Sequence, residues 1–127
     1  MKYRVYISYS PHDSMLAEDL TRRLKDVGLG SISVTDMANA PPDYLRTLIR
    51  TQMKSASEVI ALLTDHSVNS KWVMYEVGIA DSLDLPVTLV VVNEGVEKPL
   101  PIVGKKSIRY SDLPGYISSL KKRAEAA

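Results

Sequence analysis

Cysteine is absent from this chain of 127 residues, which excludes a disulfide framework, a thiol nucleophile and any cysteine-based metal site. Phenylalanine is absent too, and tryptophan occurs once, at Trp72. Neither sign of charge is in excess: 16 Lys and Arg stand against 15 Asp and Glu, and a net charge of +1 gives no electrostatic reason to expect nucleic acid or an anionic membrane as partner. No apolar run approaches the length of a membrane span. The opening M-K-Y-R-V-Y-I-S-Y-S goes straight into a strand pattern without the features of a signal peptide, so a cytoplasmic protein is expected. G-x-G-x-x-G and G-x-x-x-x-G-K-S are missing, leaving a dinucleotide fingerprint and a P-loop unsupported. Ser10 and Ser67 lie outside any G-x-S-x-G, which argues against a triad nucleophile.

What is present is an alternation of strand and helix patterns. Tyr3 to Tyr9 alternates as a first strand, ended by Pro11, His12 and Asp13. Asp13 or Ser14 can cap a helix with Leu16, Leu20 and Leu24 on one face, closed by Gly28 and Gly30. Ser31 to Thr35 is a short second strand. Asp36 to Asp43, D-M-A-N-A-P-P-D, reads as a loop because consecutive prolines supply no backbone donors. A second helix follows from Asp43 to Ala56, then a third strand, S-E-V-I-A-L-L-T, and a helix capped by Asn69 or Ser70. Pro86 to Val92 is apolar without alternation, as in a strand covered on both faces. Asn93 to Lys106 reads as a long loop, Ser107 to Tyr110 as a weak last strand, and the chain closes with a helix whose Leu113, Tyr116, Ile117 and Leu120 face inward. The basic run Lys121 to Arg123 is expected to decorate its exposed end.

Strands alternating with helices predict one α/β domain over residues 1–127. Its sheet is doubly wound and flavodoxin-like, with five parallel strands in the order 2-1-3-4-5 and helices on both faces. Ligands of such sheets sit beyond the carboxyl ends of the strands. His12 and His66 both follow strands, but neither has a second ligand at metal spacing, so no metal is expected. Asp65 could imitate the phosphoacceptor of a response-regulator receiver. That reading needs an acidic pair after the first strand, where the chain has Y-S-P-H-D, and a Lys where it has Tyr110 and Ser111.

The stretch S-V-N-S-K-W-V-M-Y-E, Ser67 to Glu76, is more informative. Trp72, Val73, Glu76, Val77 and Ala80 are three and four apart, so on a helix they share one face that is apolar except for a carboxylate. A Glu drawn onto such a face loses solvation, which favours its neutral form. A Trp there can equally be core, and a Glu near a helix start can be a surface carboxylate favoured by the dipole.

Four stretches together carry a resemblance: Y-R-V-Y-I-S-Y-S-P-H-D, the loop ending at Asp43 and Tyr44, V-I-A-L-L-T-D-H-S-V-N-S-K-W-V-M-Y-E-V, and P-V-T-L-V-V-V. The sequence resembles a Toll/interleukin-1 receptor (TIR) domain, collinearly from about Tyr3 to Val92. I-S-Y-S and W-x-x-x-E are its more specific parts. With N-A-P-P-D in place of the animal adaptors' R-D-x-x-P-G type loop, the chain looks more like the bacterial members, many of which consume NAD in antiphage defence.

The resemblance implies an NAD nucleosidase that cleaves the bond between nicotinamide and ribose, with Glu76 as the catalytic carboxylate. It implies NAD-binding roles for Ser10, Tyr44 and Trp72, with the Tyr44 ring stacking on nicotinamide. NAD is the substrate and no cofactor is implied. The product is ADP-ribose or a cyclic isomer. The resemblance further implies self-association, in which the Asp36 to Asp43 loop inserts against the next protomer in a head-to-tail contact that can grow into a filament. The alternative is a non-catalytic module that recruits another TIR domain.

Overall fold

The computed structural model describes residues 3–34 and 40–127. The alternation of the opening residues becomes strand β1, Arg4–Ser8, followed by helix α1, Ser14–Asp26, and strand β2, Gly30–Ile32. Helix α2 spans Pro42–Lys54, strand β3 Glu58–Leu63, helix α3 Lys71–Ser82 and strand β4 Val87–Val91. Strand β5, Lys106–Arg109, and helix α4, Leu113–Ala126, complete the order. All neighbouring strands pair in parallel in the order β2-β1-β3-β4-β5, the topology that the alternation of elements predicts.

Period-two alternation assigns each strand residue to a face. Val59, Ala61 and Leu63 of β3 join Ile49 and Met53 of α2 and Val73, Val77 and Ala80 of α3 in one core cluster. Ile60 and Leu62 join Leu20 and Leu24 of α1 and Leu113, Ile117 and Leu120 of α4 in another. All six residues of β3 are buried. At about 1.5–3 kcal/mol for each fully buried large aliphatic side chain, this strand is the main apolar anchor of both layers.

Several boundaries differ from the sequence reading, each for a local reason. Gly30 begins β2, and Gly28 alone ends α1: at φ +80° it lets its N–H reach Lys25 O at 2.9 Å and that of Leu29 reach Leu24 O at 2.9 Å. Helix α2 starts at Pro42 rather than Asp43, since a proline in the first turn gives up only an N–H that has no helical partner. The last strand runs from Lys106 to Arg109, and Tyr110 opens a short 3-10 turn instead. Residues 35–39, which hold the end of the expected second strand and half of the expected loop, lie outside the described residues.

The basic run at the C-terminus divides. Lys121, Lys122 and Arg123 are all exposed, and the Arg123 guanidinium in addition reaches back to the sheet and pairs with Glu58 at 3.1 Å. Glu58, at the amino end of β3, is 4% exposed and also accepts hydrogen bonds from the hydroxyls of Tyr3 and, at 2.7 Å, Tyr116. A buried carboxylate is tolerable only with such partners. Arg123 thus clamps α4 to the sheet and is no mere decoration.

Candidate active site

Helix α3 is started by Ser70, whose hydroxyl accepts from the Val73 N–H at 3.2 Å. From that start the three-and-four spacing turns Val73, Glu76, Val77 and Ala80 inward, all of them buried, with Trp72 half-buried at the edge of the same cluster. Glu76 is 1% exposed. Its Oε1 accepts from the Ser8 hydroxyl at 2.8 Å, and its Oε2 from the Tyr6 hydroxyl. Tyr6 and Ser8 are two apart on β1, so the pleat aims both at α3.

Burial, followed by the charge of Glu76 and its hydrogen bond, raises the Tyr6 phenol far above its ordinary value. Tyr6 therefore stays protonated at any physiological pH. A helix-borne carboxylate fixed by two hydroxyls can stabilise positive charge that develops next to it, provided a reacting group reaches its edge.

The other anticipated residues are spread over this end of the sheet. Ser10 is 2% exposed, and its hydroxyl accepts from the His12 N–H at 3.4 Å, capping the turn after β1. Ser8 is the β1 serine that bonds Glu76. Tyr44 lies in the first turn of α2 and is 54% exposed, so it does not pack on the sheet as an ordinary helix-start aromatic would. His12 and His66 come together with rings stacked at 4.8 Å, because β1 and β3 are neighbours. They line a cavity of about 360 Å³ with Ser10, Asp65, Asn69 and Ser70. A second cavity of about 490 Å³ shares Asp65 and Asn69 and runs to Val96 and Pro99. Among the described residues, no group of three or more His, Cys, Asp or Glu could hold a metal ion.

Three structural partners escape the sequence reading. Tyr6 and Ser8 hold Glu76, and period-two counting along β1 is the signal that could have found them. Asp13, expected as a helix cap, makes no capping bond and instead accepts from Thr64 at 2.6 Å, tying the turn after β1 to the turn after β3. That bond spans 51 residues of sequence and has no local signature.

Fold and site define a doubly wound α/β domain with a buried carboxylate beneath the carboxyl ends of its central strands. The chain belongs to the TIR domain family, whose sequence profile matches residues 5–125. Its fold is similar to that of the TIR domain of the Toll-related receptor TRR-2 from Hydra magnipapillata, at 14% identity and a TM-score of 0.70, covering 95% of this chain and 97% of that one. It is also similar to the CMP N-glycosidase BcmB from Clostridium botulinum, at 20% identity and a TM-score of 0.65, covering 92% and 97%. A 3-dehydroquinate dehydratase-like protein from Bifidobacterium longum aligns at 16% identity and a TM-score of 0.57, covering 98% and 97%. Among curated proteins the chain finds no significant match. At these identities the similarity is one of fold. No described helix is long and apolar enough to cross a membrane.

Proposed function

We propose that this TIR domain is of the bacterial NAD-consuming type and cleaves the bond between nicotinamide and ribose in NAD. The observation that carries the reading is Glu76, 1% exposed on α3 and held at both oxygens by β1 hydroxyls. Burying a carboxylate is expensive, and a core has cheaper ways to fill that volume. One structure of similar fold is named as a CMP N-glycosidase, which breaks the same class of bond in another nucleotide.

As the bond from ribose C1′ to the nicotinamide nitrogen breaks, its electron pair stays with the nitrogen. The pyridinium thereby leaves as neutral nicotinamide and needs no general acid. Positive charge develops on the ribose ring, and the Glu76 carboxylate stabilises it while accepting from a ribose hydroxyl. Attack by water at C1′ gives ADP-ribose and a proton, whereas attack from within the molecule gives a cyclic isomer. Tyr44 offers an exposed ring for stacking on nicotinamide, Trp72 lies one helical turn before Glu76 on α3, and Ser10 stands at the strand end that faces the nucleotide. Self-association through neighbouring TIR domains completes the site, and the setting is antiphage defence in a bacterial cytoplasm.

The second reading is a non-catalytic module that pairs with another TIR domain. It draws on the exposed aromatics Tyr44 and Tyr75, 54% and 39% accessible on α2 and α3. Incubating the protein with NAD at low and high protein concentration and measuring nicotinamide separates the two. Release that grows with concentration per molecule supports the enzyme. None at any concentration supports the module.

A further inference from the structure

Resting on the reading of Glu76 as the reacting carboxylate, we propose that Tyr6 is a positioning residue that holds Glu76 permanently, while Ser8 is the partner that a substrate hydroxyl replaces. The two hydroxyls bind different oxygens of one carboxylate, Tyr6 at Oε2 and Ser8 at Oε1. Both side chains are wholly buried, at 0% exposure, and they differ in place along the strand. Tyr6 is the third residue of β1 and Ser8 its last, so the bond at Oε1 comes from the residue nearer the carboxyl edge, where ligands of this sheet class bind.

They differ in freedom as well. The Tyr6 ring is wholly buried in the cluster containing Ile49, Met53 and Val77, and a close-packed ring cannot swing aside without displacing them. The Ser8 hydroxyl turns about a single bond. A carboxylate that is to stabilise a cation must be ionised, burial opposes ionisation, and donated hydrogen bonds restore it. When a ribose hydroxyl takes the place of Ser8 at Oε1, the number of donors is conserved and Tyr6 keeps the group aimed. Tyr6 suits the fixed role because its own proton is held tightly, burial and the Glu76 charge both opposing its loss.

The test uses protein labelled with carbon-13 at the glutamate carboxyl, the Glu76 signal being the one missing from Glu76→Gln. Tyr6→Phe keeps the ring and removes the hydroxyl. The midpoint of Glu76 titration is expected to rise by about one pH unit or more, and kcat for nicotinamide release to fall about tenfold or more with KM within about twofold. Ser8→Ala is expected to do the reverse, changing KM by more than it changes kcat.

If Tyr6→Phe does not fold, uniform replacement of tyrosine by the more acidic 3-fluorotyrosine provides a stronger donor in the same place. It should move the Glu76 midpoint down. An unchanged midpoint in either experiment, or a Tyr6→Phe enzyme altered only in KM, overturns the assignment. A protein that releases no nicotinamide but shows the midpoint shifts supports the positioning role and refutes the NAD reading alone.

Discussion

Raising the pH through the tyrosine range should loosen the hold of α4 on the sheet, and Tyr116 sets how much. Burial pushes its phenol up from 10.0 to about 12; the hydrogen bond with Thr88 works the other way, and the bond to the Glu58 carboxylate adds to the rise. In the unfolded chain the group titrates near its ordinary value. Between those two values the unfolded state has released a proton that the folded state keeps, so stability from this group is complete below pH 10 and is lost as the pH climbs through about 12. Two units at about 1.4 kcal/mol each make the loss about 2–3 kcal/mol. Tyr116→Phe removes the titration and also the bond to Glu58, which is worth about 1.5–3 kcal/mol as a hydrogen bond to a charged group. The parent should therefore exceed the variant by about that amount at neutral pH and lose most of the advantage in strong alkali. Urea unfolding followed by circular dichroism over a series of pH values measures both proteins. Tyr6 and Tyr110 are raised as well, through Glu76 and Asp19, and their contribution is common to both proteins; Tyr3 shares Glu58 with Tyr116, so both proteins are compared in a Tyr3→Phe background. A difference that stays constant across the alkaline range refutes the reasoning.

Ser70→Ala removes the cap of α3 and should cost about 1 kcal/mol of stability in denaturant titrations, since the Val73 N–H loses its acceptor. An effect below a few tenths would mean that water replaces the cap without loss. Tyr44→Ala should weaken NAD turnover about tenfold while Tyr44→Phe remains near the parent, because stacking needs the ring and not the hydroxyl. Stability should be unchanged in both, given that the ring is exposed. Equal turnover of the Ala variant and the parent would remove Tyr44 from the site.

Much of the fold is legible because it is built from local periodicities. The face shared by Val73, Glu76, Val77 and Ala80 follows from helical spacing alone, and the two-sided burial of β4 from an apolar run without alternation. What resists reading is what the topology brings together from far apart. Glu58 looks like an ordinary residue at the start of a strand, and its partners Tyr116 and Arg123 are 58 and 65 residues away. The pairing of Arg123 with Glu58 escapes notice because a long, exposed side chain can carry its guanidinium to a buried partner while its stem stays on a helix face. His12 and His66 look like isolated surface residues until β1 and β3 pair. At the site, the sequence points to Glu76 and Ser10 but not to Ser8, the serine that bonds Glu76: Ser10 lies past the end of β1, where the chain enters a 3-10 turn and period-two counting no longer says where a side chain points.

The central claim is that the Glu76 carboxylate does chemistry on NAD, and nicotinamide release by the parent protein and by Glu76→Gln, with melting temperatures measured on the same samples, tests it most directly. The substitution keeps the size of the side chain and removes the charge; the amide oxygen still accepts from one of the two hydroxyls, and the amide NH2 donates to the other, whose own proton turns away. The account predicts release by the parent, a fall of about a hundred- to a thousandfold or more in the variant, and no loss of melting temperature. A Gln variant that folds as well as the parent and releases nicotinamide as fast would contradict it.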